Sequence, residues 1–239
     1  MNSTPQLALS VQLPDDETFQ SYRSKVNQPA VAQILNFVKQ ENTNNTQKKI
    51  IPCCYIFGLS GVGKSHLLHA SCTLVHDLGK SSVCLSFSEL QHLSVEVFDG
   101  LEHINLVCLD DIQLIENQPL WQQAVFDLYN RLSEQNHCLL VSGNKTVNAL
   151  RFSLADLTSR LSWGYVEQIK PLSDPEKLNA IIFRAHQRGL IVGEDVASFL
   201  MTRWSRDMKN LLSALDKLDK ASIREQRGLT IPFIKKVLF

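Results

Sequence analysis

A glycine-rich segment, Gly58-Leu59-Ser60-Gly61-Val62-Gly63-Lys64-Ser65, constrains the fold of this 239-residue chain more than any other feature. It fits the phosphate-loop pattern G-x-x-x-x-G-K-[ST] at every fixed position. An apolar run, Ile50–Phe57, precedes it, and a helix-like run, Ser65–His76, follows it. A strand, a glycine loop and a helix in this order place backbone N–H groups around one point, at the positive end of a helix dipole. The segment therefore predicts a nucleotide-binding α/β domain.

The residue types of this loop suit phosphate chemistry. Lys64 is expected to reach the β- and γ-phosphates, and the Ser65 hydroxyl to ligate Mg²⁺. Glycine permits backbone angles and a close phosphate approach that a Cβ would obstruct. ADP or ATP with Mg²⁺ is the expected ligand; the alternative is an ordinary glycine turn before a helix. The residues expected to surround the nucleotide are Gly58, Ser60, Gly61, Val62, Gly63, Lys64, Ser65 and His66.

Composition limits the class of protein. Apolar residues make up 44% and charged residues 20%, with 24 basic and 24 acidic side chains, as is usual for a globular protein. A zero net charge without a Lys/Arg cluster disfavours a dedicated DNA-binding domain. The six cysteines show no zinc-type spacing, and most fall in strand-like runs, which favours reduced thiols in the cytoplasm. Neither a signal peptide nor a membrane-spanning run is expected.

The order of the predicted elements indicates a parallel sheet flanked by helices, followed by an all-helical region. Strand-like runs alternate with helical patterns, which favours a parallel sheet covered on both faces. After residues 170–175 only helical patterns remain. We expect a flexible tail at 1–13, an α/β nucleotide-binding domain at 14–170 and a small helical lid at 171–239. The strand-like runs are Ile50–Phe57, Ser82–Phe87, Ile104–Leu109, Cys138–Ser142 and Tyr165–Ile169.

Two further strands end in polar residues. Asp110 and Asp111 follow an apolar strand, about 45 residues after the phosphate loop. Asp110 is expected to hold Mg²⁺ and Asp111 to orient or deprotonate an attacking water. Asn144 follows the next strand, at the edge where open α/β sheets bind ligands, and is expected to contact the γ-phosphate or that water. An Asp-rich turn and a Ser-Gly-Asn turn are the alternatives.

Together these motifs resemble those of the AAA+ ATPases and, among them, the bacterial initiator DnaA and its relatives. Three segments carry the resemblance to DnaA: Gly63–Ala70, Leu109–Ile112 and Leu157–Gly164. In that family the arginine of the last segment is an arginine finger that reaches a nucleotide held by a neighbouring subunit. The resemblance assigns this role to Arg160. Judged from the residue alone, a surface ion pair on a helix is the alternative.

The start of the chain narrows the resemblance to the Hda family. Gln6-Leu7-Ala8-Leu9-Ser10-Val11 looks like a peptide that docks on the sliding clamp, with Gln6, Leu7, Leu9 and Val11 as contacts; a disordered tail is the alternative. The DNA-binding helix-turn-helix domain of the initiator is expected to be missing after the lid. The resemblance implies two partners, DnaA and the β clamp of DNA polymerase III, with DNA reached through the clamp. Assembly with a second copy stays open.

One family feature is altered. The sensor-two arginine of the initiator corresponds here to Lys209, which keeps the charge but loses the bidentate guanidinium. Arg206 lies three residues earlier and is the other candidate, provided that the helix starts early enough. Two other functions remain open: an autonomous ATP-driven motor such as a helicase loader, and a DNA-binding fragment of an initiator.

Overall fold

Five parallel strands form the centre of the molecule in this computed structural model, which describes residues 17–39, 52–90 and 92–239. The sheet order is β2-β3-β4-β1-β5. The interior strand β1 therefore pairs with β4 on one side and with β5 on the other. The predicted clamp-docking residues Gln6, Leu7, Leu9 and Val11 lie outside the described residues. The strands are β1 Cys53–Phe57, β2 Ser82–Ser86, β3 Leu106–Asp110, β4 Cys138–Gly143 and β5 Tyr165–Gln168.

Side chains of successive strand residues alternate between two apolar layers. Cys53 and Tyr55 of β1 belong to one buried cluster, while Cys54 and Ile56 belong to the other. Because both faces of the sheet are covered, the inner strands are almost continuously apolar, as the sequence predicted. The helices of the described residues are α1 Gln28–Lys39, α2 Lys64–Asp77, α3 Phe87–Leu90, α4 Pro119–Glu134, α5 Ala155–Ser162, α6 Asp174–Gln187, α7 Glu194–Arg203, α8 Met208–Glu225 and α9 Ile231–Leu238.

The sequence pattern of residues 88–98 predicts a helix, but the structure does not form it as one element. The structure has the short helix α3, Phe87–Leu90, and a separate 3₁₀ turn, Val95–Phe98. Ser94 precedes that turn in an extended conformation with ψ 156°, which interrupts a continuous helix. The apolar residues of this region therefore reach the core from the short helix and the 3₁₀ turn, and not from one face of a single helix.

The lid helices α6–α9 have an apolar cluster of their own. Leu200, Leu211, Leu215 and Ile234 lie in it and are fully buried. Ser173 and Glu176 form a capping box at the start of α6, and Asp207 caps α8. The last helix, α9, begins at Ile231 and has Pro232 in its first turn, where proline is tolerated. Among the described helices, none has the length and hydropathy of a membrane span.

Close packing at Gly164 predicts a large cost for any side chain there. A Cβ at this position would lie 2.0 Å from the backbone oxygen of Cys53. Since backbone at the start of the interior strand β1 cannot move aside freely, we expect Gly164→Ala to destabilise the fold by about 1–3 kcal/mol. Gly228→Ala is the matched control, because nothing lies within 4 Å of its added Cβ. Urea unfolding of both variants tests this, and equal midpoints would contradict it.

Candidate nucleotide-binding site

Lys64 is the first residue of α2, and its side-chain amine lies against the backbone of the glycine loop. The Nζ atom donates hydrogen bonds to the carbonyl oxygens of Gly58, at 2.9 Å, and Leu59, at 3.0 Å. Burial lowers the pKa of this amine, while the charges of Asp110 and Asp111 oppose that shift. The amine is thus held at the floor of the loop by neutral partners. A phosphate group would provide stronger, charge-assisted hydrogen bonds in their place.

The loop needs glycine for conformation and for space. Gly61 and Gly63 have φ angles of 78° and 94°, in the left-handed region that other residues rarely adopt. A Cβ at Gly63 would lie 2.7 Å from the Tyr22 ring. The Tyr22 hydroxyl donates to the Val62 carbonyl oxygen at 3.1 Å. The segment before α1 therefore packs directly on the loop and fixes one wall of the site.

The predicted magnesium ligands Ser65 and Asp110 contact each other. The Ser65 hydroxyl donates to Asp110 Oδ2 at 2.5 Å. The Ser142 hydroxyl, on the neighbouring strand β4, donates to Asp110 Oδ1. Among the described residues, no lysine or arginine forms an ion pair with Asp110. A carboxylate beside hydroxyl groups is the donor set that a hard cation such as Mg²⁺ prefers.

Asp111 and Asn144 are linked through Gln113, a residue that the sequence analysis missed. Asp111 adopts a left-handed φ of 59° directly after β3. Gln113 Nε2 donates to Asp111 Oδ1 at 2.8 Å, and Gln113 Oε1 accepts from the Asn144 backbone N–H at 3.2 Å. All three residues line the same cavity. The ends of β3 and β4 are thereby joined beside the loop, where an attacking water would be placed.

These groups surround a cavity of about 410 Å³ between the glycine loop, the segment before α1 and the lid. The glycine loop supplies polar backbone groups to its lining. The lining also includes the apolar side chains of Leu172, Ala180, Met208 and Leu212 and the Tyr22 ring. Backbone N–H groups together with apolar side chains suited to a flat base fit a nucleoside phosphate. The predicted residues that line it are Ser60, Gly61, Val62, Gly63, Lys64, Ser65, His66, Asp111, Asn144 and Lys209.

Comparison with known families agrees with this geometry. Residues 15–168, well over half of the chain, match the family model of the bacterial DnaA ATPase domain. The chain belongs to the bacterial DnaA ATPase family. Residues 174–238 match the model of the Hda lid domain. The protein is therefore a replication-initiation-related AAA+ protein with an Hda-type lid.

Solved structures of DnaA and of a branch migration motor share the fold of this DnaA-family chain. Domain III of DnaA from Thermotoga maritima has a TM-score of 0.77 at 17% identity, covering 95% of this chain and 97% of that one. AMPPCP-bound DnaA from Aquifex aeolicus has a TM-score of 0.66 at 18% identity, covering 90% and 71%. The RuvB branch migration motor of Thermotoga maritima has a TM-score of 0.65 at 12% identity, covering 95% and 72%. At these identities the likeness shows the fold alone.

In this DnaA-family site the lid contributes Lys209 and not Arg206. Helix α8 starts at Met208 with Asp207 as its cap, so Arg206 precedes the helix. The Arg206 guanidinium lies 3.6 Å from Asp174 and is 72% exposed. Lys209 lines the cavity. Arg206 was a candidate only if α8 started early enough to include it, and α8 does not. Lys209 is therefore the lid residue to be tested at the sensor-two position.

Arg160 lies away from the cavity, near the other end of the sheet. Gly164, four residues later, packs on Cys53 at the amino end of β1, whereas the glycine loop follows the carboxyl end. The guanidinium carbon is 5.6 Å from the centre of the Tyr129 ring and 5.9 Å from that of Trp163. Trp163 is 66% exposed. Within the described residues Arg160 has no ion pair, so the alternative of a surface salt bridge finds no support there.

A junction of charged groups that the sequence analysis missed joins the lid to the core. Glu17 accepts from Arg184 of α6 at 3.2 Å and lies 2.5 Å from His69 Nδ1 of α2. Arg184 is buried and lines the cavity. His66 contacts the Thr18 carbonyl oxygen at 2.9 Å and Arg184 at 3.3 Å. Three segments far apart in sequence therefore meet at one carboxylate.

The Glu17–His69 pair predicts a pH-dependent stability. Burial alone would raise the pKa of Glu17, but its hydrogen bond to His69 and nearby positive charges lower that pKa below 4.5. Burial alone would lower the pKa of His69, but Glu17 raises it above 6.5. The Glu17 contribution is lost as pH falls through its lowered pKa, and the His69 contribution as pH rises through its raised pKa. The pair therefore stabilises most between about pH 4.5 and 6.5.

We expect His69→Gln to lower the melting temperature by about 3–6 °C at pH 5.5 and by less at pH 9, since one charge-assisted hydrogen bond is lost. Melting curves at both pH values measure this. His92→Gln, at an exposed position, controls for the loss of a titrating group. Equal losses for His69→Gln at both pH values would show that the pair does not act through its charge.

Proposed function

We propose that this protein is a negative regulator of the initiation of DNA replication. It holds ADP or ATP with Mg²⁺ in its own cavity and docks through Gln6–Val11 on the DNA-loaded β clamp. From there it stimulates hydrolysis of the ATP that DnaA holds. Membership of the DnaA family and the Hda-type lid support a role at initiation. Such a protein works in the bacterial cytoplasm, at the nucleoid, and reaches DNA through the clamp.

The placement of Arg160 carries this proposal. An arginine near the opposite end of the sheet from the loop is badly placed to serve the nucleotide of its own chain. It is well placed to serve a nucleotide on a neighbouring molecule, beside the exposed ring of Trp163. A guanidinium supplied in trans offsets charge on a transferring phosphoryl group. Arg160 would complete the site of a DnaA partner in this way.

The chain's own site would set the arrangement of lid and core. Lys64 would bind the phosphates, and Ser65 with Asp110 would hold the cation, which neutralises phosphate charge when bound. Asp111 and Asn144, joined by Gln113, would orient a water if the site turns over. The ammonium group of Lys209 is a compact charge, whereas the planar guanidinium of an arginine could make two parallel hydrogen bonds to a phosphate. We therefore expect at most weak hydrolysis by this chain alone.

The decisive experiment measures ATP hydrolysis by the cognate DnaA on clamp-loaded DNA, with and without this protein. The proposal requires a rise only when clamp and protein are both present, and loss of that rise in Gln6→Ala. Brisk hydrolysis by this protein alone, with the nucleotide of DnaA untouched, would instead identify an autonomous motor such as a helicase loader.

A further inference from the structure

Three thiol groups meet between α2 and the sheet, outside the nucleotide cavity. Cys72 lies in α2, Cys84 in β2 and Cys108 in β3. The Sγ atoms of Cys72 and Cys108 are 3.6 Å apart, within hydrogen-bonding distance. Cys84 is the strand neighbour of Cys108 and hydrogen bonds with Cys72 as well. All three are free cysteines, and sulfur atoms in contact react with one another when one of them is oxidised.

The thiol contact lies on the same faces of α2 and β3 as the predicted cation ligands. Cys72 follows Ser65 by seven residues, so both lie on one face of α2, about two turns apart. Cys108 and Asp110 are two residues apart and therefore point to the same side of β3. The Ser65–Asp110 hydrogen bond, at 2.5 Å, and the Cys72–Cys108 contact thus join the same two elements. A change in the distance between the sulfurs is felt at the cation ligands.

The surroundings of the three thiols make Cys72 the nucleophile. Hydrogen bonds with Cys108 and Cys84 lower the pKa of the Cys72 thiol, and the nearby charge of His69 acts in the same direction. The thiolate is the form that reacts. Cys72 and Cys108 are fully buried, but Cys84 is partly exposed on the edge strand β2. An oxidant as small as hydrogen peroxide can therefore reach Cys72 beside Cys84.

We propose that a peroxide converts Cys72 and Cys108 into a disulfide, and that this bond disturbs the cation site. The Cys72 sulfur first attacks a peroxide oxygen. An S–O bond forms, the O–O bond breaks, and hydroxide leaves and takes up a proton to become water. The Cys108 sulfur then displaces the oxygen from Cys72, so that an S–S bond forms and the Cys108 proton leaves in a second water. The two thiols lose two electrons, which the peroxide gains.

The new bond requires α2 and β3 to shift relative to each other, because bonded sulfurs are about 2.0 Å apart. The shift would occur beside Ser65 and Asp110. Mg²⁺ demands a nearly ideal ligand geometry, so a small displacement of its ligands weakens binding. The disulfide itself does not depend on a bound nucleotide. Only its effect on the cation rests on the proposed nucleotide-binding function.

Peptide mapping by mass spectrometry tests the bond in the full chain. The protein is treated with hydrogen peroxide, and its remaining thiols are then blocked with iodoacetamide. We expect an intact-mass loss of about 2 Da, for two hydrogens, and a peptide pair that joins Cys72 to Cys108 and is separated by dithiothreitol. Cys72→Ala and Cys108→Ala should not form this pair. Cys53→Ala is the matched control, since Cys53 is equally buried on the other face of the sheet. No disulfide, or one between another pair, would overturn the proposal.

Isothermal titration with ADP tests the effect on the cation site. Reduced and oxidised wild-type protein are compared with Mg²⁺ and with a chelator in its place. We expect oxidation to weaken ADP binding about threefold to tenfold with Mg²⁺ and to leave it unchanged without the cation. Equal affinities of both forms with Mg²⁺ would overturn the coupling to the cation site. If the reduced protein does not bind ADP, the proposed nucleotide-binding function fails, and the peptide map still decides whether the disulfide forms.

Discussion

Replacing Arg160 by alanine is expected to lower the DnaA hydrolysis stimulated by this protein about a thousandfold. An arginine finger contributes that much because it meets charge that develops only as the phosphoryl group transfers. Single-turnover hydrolysis of labelled ATP preloaded on DnaA, with clamp-loaded DNA, measures the rate directly. The affinity of the protein for the clamp should not change.

Arg160→Lys separates charge from shape in the same assay. Lysine keeps the charge but lacks the planar fork, so we expect it to recover only a small part of the rate. Arg203→Ala, at an exposed lid position, is the control for loss of a surface arginine. Full stimulation by Arg160→Ala would show that Arg160 is not an arginine finger, and would remove the central feature of the proposed mechanism.

Lys64→Met is expected to weaken nucleotide binding about a hundredfold. The change removes charge-assisted hydrogen bonds to phosphate, each contributing about 1.5–3 kcal/mol. The methionine keeps the buried stem of the side chain, so the fold should persist. Fluorescence titration with a labelled adenine nucleotide gives the affinity, and a melting curve checks the fold.

Lys80→Met, on the exposed turn after α2, is the control for loss of a lysine. It should bind nucleotide like the wild type. If Lys64→Met binds as tightly as the wild type, the amine does not face phosphate and the cavity holds some other ligand.

Local pattern was sufficient to predict the elements that bind phosphate. The alternation of apolar runs and helical patterns indicated the parallel sheet with helices on both faces, and the solved structures confirm this fold. The glycine loop and Asn144 each follow a strand of that sheet, and Asp110 is the last residue of another. Parallel strands end at one edge, so their placement together follows from the strand order. The choice of Lys209 over Arg206 as the candidate for the sensor-two position needed the first residue of α8. Sequence alone leaves that residue uncertain by one or two positions.

The residues that sequence analysis missed act through contacts between distant segments. Glu17 and Arg184 are 167 positions apart, and neither belongs to a short pattern. Ser142 gains its role only because β4 lies beside β3. Gln113 links two strand ends by its side chain. Each contact depends on how the lid and strands pack, which residue spacing does not encode. The broken helix at 88–98 has a local cause, the extended Ser94.

The position of β1 inside the sheet, between two strands, has a consequence for synthesis on the ribosome. Both neighbours of this strand, β4 and β5, come much later in the chain. At roughly 5–20 residues per second, the about 80 residues between β1 and β4 take several seconds to emerge. During that time neither edge of the apolar strand β1 has its partner strand to pair with. We expect nascent chains stalled before Cys138 to depend on chaperones, and chains released after Gln168 to need them far less.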